Sequence, residues 1–444
     1  MDSVEALRAL VESAREEDHR RAWEALLARP ADLAKSRELA FILADLLARD
    51  PTFPQPLPLA EKALAAFGQD SELVIALTAG LLRVAEQRPP DEPPFVQGPA
   101  HLVAGACQRC FEELSSEDRL RPELGGYLQL NLADGLRMMG PDHDEDAQKA
   151  YALALTIDDS NGAFWFHLGL LHKWRGRFEA GLEANKKALV RLGPRKPVLW
   201  NLALCATALG EGQLAAETWQ KLGIPAEVTA SKMPLVRDMP PMQLRVATVG
   251  EELGQGDPLP AKTVAFEVLW LQPLSPCHGV VQSPTARRAS IDYGDLVLYD
   301  GAPVRMAEVE GRPVPIFPLI WLLRPGKEQR LRFVAMESRA GLLEGLGGDL
   351  GEGLALVTFD KRAGDGSGPV LYYGKLIVSP DVPLGEVRKR LTQGLSRQRG
   401  LTLAVPQLYE LLKDTPEAGK SHQAWGGIER AAERAGLLSA RRAQ

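Results

Sequence analysis

Cys277 and His278 are the most reactive-looking residues of the chain, and they are adjacent in the segment Ser275–Gly279, SPCHG. A thiol beside an imidazole can supply a thiolate nucleophile or two ligands for a metal ion. The segment follows an apolar run with strand character, and successive side chains of a strand point to opposite faces of a sheet. We therefore expect Cys277 to be structural and His278 to face solvent. An enzyme, thiol-dependent or hydrolase-like, with its site at Cys277 and His278 stays the alternative.

Cys107 and Cys110 form a second pair, with the spacing of a redox motif or of half a zinc site. The surrounding segment, residues 100–114, has the pattern of a helix, on which a three-residue spacing puts both thiols on one face. The chain has four cysteines in total, which argues against a disulfide framework and for a reducing compartment. We predict that both thiols pack in a helical core, and we predict neither a metal site nor a cofactor.

Three further segments match the motifs of ligand sites only in part. Asp292, Asp295 and Asp300 lack the ligand spacing and the final glutamate of a calcium loop, so we predict that they are turn residues at strand ends. The glycine-rich residues 345–353 precede a predicted strand instead of opening a helix, and residues 419–421 (GKS) lack the upstream glycine of a phosphate loop. Catalytic chemistry is therefore weakly supported outside residues 277–278.

Composition narrows the classes of function. The chain has 444 residues, of which 45% are hydrophobic and 25% charged, with a net charge of −6. This charge gives no general attraction to nucleic acid or to anionic membranes, and no run reaches the roughly 20 apolar residues of a membrane-spanning helix. The first 21 residues are too charged for a signal peptide. We expect a cytoplasmic, bacterial protein of two or three domains that binds neither a membrane nor nucleic acid.

Residues 162–192 have the pattern of two short helices joined at Gly176. Bulky residues recur at helical spacing, and small residues lie where one helix must approach the other, at Gly169, Gly181 and Ala188. This spacing resembles the tetratricopeptide repeat, a 34-residue pair of helices that needs stacked neighbours to bury its apolar face. Similar patterns cover residues 126–159 and 197–222, so three consecutive repeats are predicted.

The resemblance implies a concave groove lined by the first helix of each repeat. Carried over by register, the groove residues are Tyr127, Leu130, Asp134, Arg137, Phe166, Leu170, Lys173, Trp174, Trp200 and Leu204. An exposed apolar strip of this kind implies a partner protein or peptide. The groove could instead be covered by other parts of the same chain, including the predicted helices 405–412 and 426–438.

After residue 241 the pattern of hydrophobic residues changes from that of helices to that of strands. Alternating β-branched and aromatic residues predict a compact antiparallel sheet or small barrel at 242–380. Within it, Asp300-Gly301 predicts a type I′ hairpin between 296–299 and 302–309, and a second hairpin joins 354–359 to 370–378. Residues 381–444 are predicted to form a basic helical tail.

These observations predict an α+β multidomain protein. Its parts are irregular helical hairpins (1–98), a repeat array (99–224), a linker (225–241), a β-rich domain (242–380) and a helical tail (381–444). The repeats imply an adaptor or scaffold that binds another protein or peptide, with no cofactor. The sequence does not identify the partner or the oligomeric state.

Overall fold

The computed structural model describes residues 3–51, 56–86, 98–249, 264–363 and 368–438. The chain divides into a first unit, Met1–Arg237, and a second unit, Asp238–Gln444, so the division falls inside the predicted linker. The proline-rich residues 88–97 (RPPDEPPFVQ), which the sequence predicts to form a loop, lie outside the described residues. Within the described part of the chain, each helix is too short or too polar to cross a membrane.

The first unit is helical, as the sequence predicts. Its helices are α1 (Val4–Glu12), α2 (Glu16–Leu27), α3 (Arg37–Arg49), α4 (Leu57–Phe67), α5 (Ser71–Glu86), α6 (Gly98–Glu113), α7 (Tyr127–Met139), α8 (Asp144–Ile157), α9 (Gly162–Trp174), α10 (Phe178–Leu192), α11 (Lys196–Ala208) and α12 (Gly212–Lys221). A π-helical turn, Pro122–Gly126, leads into α7. A two-stranded hairpin of β1 (Glu227–Val228) and β2 (Pro234–Leu235) follows the last helix.

The last six helices of this unit repeat at a regular interval. Helices α8, α10 and α12 begin at Asp144, Phe178 and Gly212, which are 34 residues apart each time. Each of these helices packs against the helix before it. The turns after α9, α10 and α11 contain Gly176, Gly193 and Gly210, each with a φ near +70° that L side chains adopt poorly. Three helical hairpins therefore follow one another with a constant spacing.

Small residues allow the helices of a hairpin to approach closely. A Cβ atom at Gly169 of α9 would lie 2.6 Å from the amide nitrogen of Asn185 on α10. A Cβ atom at Gly181 would lie 3.1 Å from the sulfur of Cys205 on α11, and Ala188 is fully buried. Gly169 and Gly181 are thus contacts between helices, as the sequence predicts, and Ala188 is part of the core.

The second unit begins with a closed barrel of five strands. The strands of its sheet are β3 (Met242–Val249), β4 (Val264–Ser275), β5 (His278–Val281), β6 (Arg288–Ala289), β7 (Leu296–Tyr299), β8 (Arg305–Val309) and β9 (Arg312–Arg324). Strands β3, β4, β5, β7 and β9 each run antiparallel to the next, and β9 returns to β3. In an up-and-down path of five strands the last runs in the same direction as the first. The closing pair of β3 and β9 is accordingly parallel.

The remainder of the second unit is a four-stranded antiparallel sheet with helices on both faces. Its elements are β10 (Gln329–Glu337), α13 (Leu342–Leu350), β11 (Leu354–Ala363), β12 (Val370–Val378), α14 (Leu384–Arg397), β13 (Leu401–Ala404), α15 (Pro406–Leu411) and α16 (Thr415–Arg434). The strand order is β11-β12-β10-β13. Successive residues of β10 are buried in different cores. Phe333 packs in a core with residues of α13, α14 and α15, and Val334 packs in a second core with residues of α16.

Residues of the predicted tail are thus part of this sheet. Strand β13 pairs with β10 from Val334↔Ala404 to Glu337↔Leu401. The apolar side chains of α15 and α16, such as Leu408 and Ile428, are buried in the two cores of the sheet. These helices therefore pack within the second unit.

One of the two predicted hairpins is correct and the other is wrong. Strands β11 and β12 pair antiparallel, as predicted. Strand β7 instead pairs with β5 and β9, and β8 pairs with β9. The type I′ turn lies at Glu310-Gly311, where both residues have a positive φ, of 51° and 73°. Asp295 and Asp300 flank β7, as expected of strand-end residues.

Candidate partner-binding surface

The predicted groove residues lie on α7, α9 and α11, but they differ widely in exposure. Tyr127 is exposed, at 36%. The half-buried members are Phe166, Leu170, Trp174 and Trp200. The buried members are Leu130, Asp134, Arg137, Lys173 and Leu204. Five of the ten predicted groove positions are therefore buried.

Helix α9 is apolar on two faces. Phe164, Gly169 and Leu171 are buried in the protein. Phe166 and Leu170 are spaced by four residues and lie one above the other along a second face, which Trp174 continues; none of these three is buried. A surface helix of a soluble protein normally carries polar residues on its outer face.

Asp134 is the centre of a buried polar cluster at the base of the predicted groove. Its Oδ1 accepts hydrogen bonds from Tyr151 Oη at 2.6 Å and from Arg137 Nε at 3.2 Å, and its Oδ2 lies 2.6 Å from Nδ1 of His167. Burial alone would raise the pKa of Asp134, but the charges of His167 and Arg137 outweigh it, so the pKa lies well below its usual range. The carboxylate is thus ionised and engaged within the protein.

The other predicted cation of the groove is also engaged. Nζ of Lys173 is 3.2 Å from Oδ1 of Asn201 on the next hairpin and 4.9 Å from the ring centre of Trp174. Its residue is only 3% exposed. The charged groove positions Asp134 and Lys173 therefore connect helices, and the predicted groove residues that are not buried are aromatic and aliphatic.

Trp200 packs differently from the expectation. Its ring lies edge-on against the buried ring of Trp219 on α12, with 4.8 Å between the ring centres. Its indole nitrogen is buried and has no hydrogen-bond partner among the described residues. Trp200, predicted as a groove residue, thus also packs in the core between α11 and α12.

The Cys277–His278 segment lies at the turn between β4 and β5. Oγ of Ser275 is 2.5 Å from Nδ1 of His278 and 3.6 Å from the sulfur of Cys277, and Tyr299 donates a hydrogen bond to the Ser275 carbonyl at 2.7 Å. Burial lowers the pKa of His278 to about 4, so the imidazole is neutral near pH 7.

This arrangement corrects part of the sequence prediction. Cys277 is buried, as expected of a structural cysteine, but His278 is only 1% exposed and does not face solvent. A serine hydroxyl against an imidazole can act as a nucleophile and its base. Ser275, Cys277 and His278 are all at most 1% exposed, so the three side chains are closed off from solvent in this structure. The sequence had Ser275 two residues before Cys277, but it gave no indication of the contact with His278.

The Cys107–Cys110 pair is part of the helical core, as predicted. Both residues are at most 1% exposed, and the thiol of Cys107 donates to Oγ1 of Thr78 on α5 at 3.5 Å. Burial raises the pKa of Cys107 to about 12 and that of Cys110 to about 11. Both are therefore thiols near pH 7, whereas a nucleophile or metal ligand requires the thiolate.

Comparison of the sequence with protein-family models and with curated proteins gave no match. The assignment of a function therefore depends on the geometry of the two units.

Proposed function

We propose that α7–α12 form a tetratricopeptide-type array and that the chain is an adaptor, which binds another protein or peptide along the first helices of its hairpins. The 34-residue spacing of α8, α10 and α12 supports this repeat type. The observation that carries the binding function is the second apolar face of α9, formed by Phe166, Leu170 and Trp174.

The chemistry of this face indicates the kind of partner. The charges at the base of the groove, on Asp134 and Lys173, are taken up by contacts within the protein. The α9 face therefore offers aromatic and aliphatic area. Aromatic residues of this type commonly dominate the binding energy of protein interfaces. A segment with apolar anchor residues, such as an amphipathic helix, fits this surface best.

The proposal is tested with the full-length chain carrying Phe166→Ala and Leu170→Ala together. Proteins captured from a lysate are quantified by mass spectrometry for the parent, for this double variant, and for Val190→Ala. Val190 lies on α10 and is 83% exposed, so its truncation removes apolar surface away from the α9 face. Some proteins should be captured equally by the parent and by the Val190→Ala variant. We expect the double variant to capture about tenfold less, or lower still, of these proteins.

Thermal unfolding of the three proteins controls for stability. Phe166→Ala and Leu170→Ala should leave the cooperative transition in place, since both side chains are only half-buried. An unchanged set of captured proteins with a folded double variant would show that the α9 face does not bind the partner. Trp200→Ala is a poorer test, because it also opens the contact with Trp219.

A further inference from the structure

The hairpin of β8 and β9 extends from the barrel and ends in the two-residue turn Glu310-Gly311. In a hairpin of this type the residues flanking the turn, Val309 and Arg312, exchange hydrogen bonds, and the following pairs alternate between bonded and non-bonded. The pair Ala307↔Val314 is therefore bonded. The N–H groups of Met306 and Glu308, and those of positions 313 and 315, point away from the partner strand.

The two outer edges of this hairpin differ in the backbone N–H groups that they offer to another strand. Positions 313 and 315 of β9 are both proline, so that side has no N–H to donate before β3 begins to pair at Ile316. Proline at such positions prevents another strand from pairing. On the other side, Met306 and Glu308 keep their N–H groups. Among the strands of the described residues, β8 is the last of its sheet, and Met306 is 52% exposed.

We propose that the outer edge of β8 binds an extended segment of another protein by strand addition, and that this segment carries acidic residues on one face. The hydrogen bonds would use the outward N–H and C=O groups of Met306 and Glu308. Since cross-strand partners share a face, Arg305 and Arg312 lie on the same face as Ala307, Val309 and Val314. These two arginines are the charged residues of that face of the hairpin, which favours an acidic partner.

The opposite face of the hairpin completes the preferred pattern. It carries Met306 and Glu308, opposite Pro315 and Pro313. An added strand is therefore expected to place an apolar residue beside Met306 and a basic residue beside Glu308. A second copy of this chain fits less well. Antiparallel pairing of two β8 strands through these groups would set Met306 of each copy against Glu308 of the other.

The probe is the acetylated and amidated heptapeptide Thr-Glu-Lys-Val-Leu-Glu-Thr. In antiparallel register its leucine lies opposite Met306, its lysine opposite Glu308 and its second glutamate opposite Arg305. Titration into the full-length protein is followed by fluorescence anisotropy of a labelled peptide and by amide hydrogen exchange. We expect saturable binding, with slower exchange of the N–H groups of Met306 and Glu308.

Two controls remove hydrogen bonds between the peptide and β8, one by changing the peptide and one by changing the protein. A peptide N-methylated at its leucine and lysine keeps the side chains but loses both donors to β8, and its affinity is expected to fall about tenfold or more. In the protein, Glu308→Pro removes an outward N–H and leaves the hairpin bonds of Ala307 and Val309 in place. Glu308→Gln is the matched control, because it keeps the N–H, and it is expected to bind the peptide within about threefold of the parent.

Slow exchange at the Val309 amide shows that the hairpin of the Glu308→Pro variant is intact. The proposal is overturned if the peptide does not saturate the parent, or if it binds the parent and Glu308→Pro equally. It is also overturned if sedimentation shows a dimer of the parent that Glu308→Pro abolishes, since the edge then belongs to a second copy.

Discussion

Asp134 in the helical unit and His278 in the barrel are buried polar side chains in different electrostatic states. In the helical unit Asp134 is buried as a charged carboxylate, and three side chains from α7, α8 and α9 contact it. In the barrel His278 is buried as a neutral imidazole against one hydroxyl, that of Ser275. A buried charge requires several partners, whereas a group that titrates near neutral pH can lose its charge instead.

This difference determines how each of the two sites responds to substitution and to pH. The Asp134 cluster depends on all its members, because removal of one leaves an uncompensated charge on another. The His278 site depends on pH, because burial lowers the pKa of the imidazole and protonation would place a charge in that buried position.

The largest effect is expected from Asp134→Ala, which leaves the guanidinium of Arg137 buried without its carboxylate. Loss of one partner of a buried ion pair typically costs about 3–5 kcal/mol of unfolding free energy. Urea unfolding followed by circular dichroism measures it. Asp146→Ala on α8 is the matched control, because Asp146 pairs with Lys149 at the surface, and a change of at most about 0.5 kcal/mol is expected there. Equal effects of the two substitutions would contradict the cluster.

The next effect is a pH dependence in the barrel. The pKa of His278 is lowered to about 4 in the folded state, against about 6.5 when unfolded. The unfolding free energy therefore keeps its full contribution from the neutral His278 above pH 6.5. It falls by about 3 kcal/mol in total as the pH decreases toward 4 and below. Unfolding free energies of the parent and of His278→Asn between pH 7.5 and 4 measure this. The unfolding free energy should change less with pH in the variant than in the parent. An identical pH dependence of the two proteins would argue against a buried neutral imidazole.

Asp134 should act in a different pH range. Because its pKa is lowered in the folded state, its contribution is present above an unfolded pKa of about 3.9 and is lost only as the pH falls below that value. Acid should therefore affect the surroundings of His278 before those of Asp134. NMR signals of residues near each of the two groups, followed during an acid titration, would report the order, and earlier loss of the signals around Asp134 would contradict it.

The smallest effect is expected from helix packing. Gly169→Leu forces a side chain against Asn185 between α9 and α10, and overpacking of this kind costs about 1–3 kcal/mol. Gly347→Leu is the control in the second unit, because nothing lies within 4 Å of a Cβ atom at Gly347 of α13. Thermal unfolding should show a loss for the first variant and none for the second. Similar melting of the two variants would mean that the α9–α10 contact is looser than described.

The sequence predicted local structure better than long-range structure. The hairpins of α9–α12 could be predicted because their spacing and their small residues, such as Gly169, act within about 34 residues. The strand pairs of the barrel depend on residues far apart, such as Gln243 and Ile316, which no local pattern connects. The wrong hairpin at Asp300-Gly301 has this origin, since a favourable turn sequence was outweighed by the pairing of β7 with β9.

The candidate site shows the same limit. The repeat register gave the helices that carry the groove residues and the face of α9 with Phe166 and Leu170. It did not give the partners that bury Asp134, because His167 and Tyr151 lie on other helices and have no distinctive spacing. It also missed the ring of Trp219 against Trp200, since register gives a direction for a side chain but not what packs against that side chain.

The parallel pair that closes the barrel has a consequence for the order of folding. During synthesis the N-terminal part of the chain emerges first, and each helical hairpin can form from a segment that is already complete. Strand β3 has to wait for β9, and until then β3 and the strands between them present unpaired edges and apolar side chains. The barrel is therefore expected to be prone to aggregation on the ribosome during the interval between the synthesis of Met242 and that of Arg324.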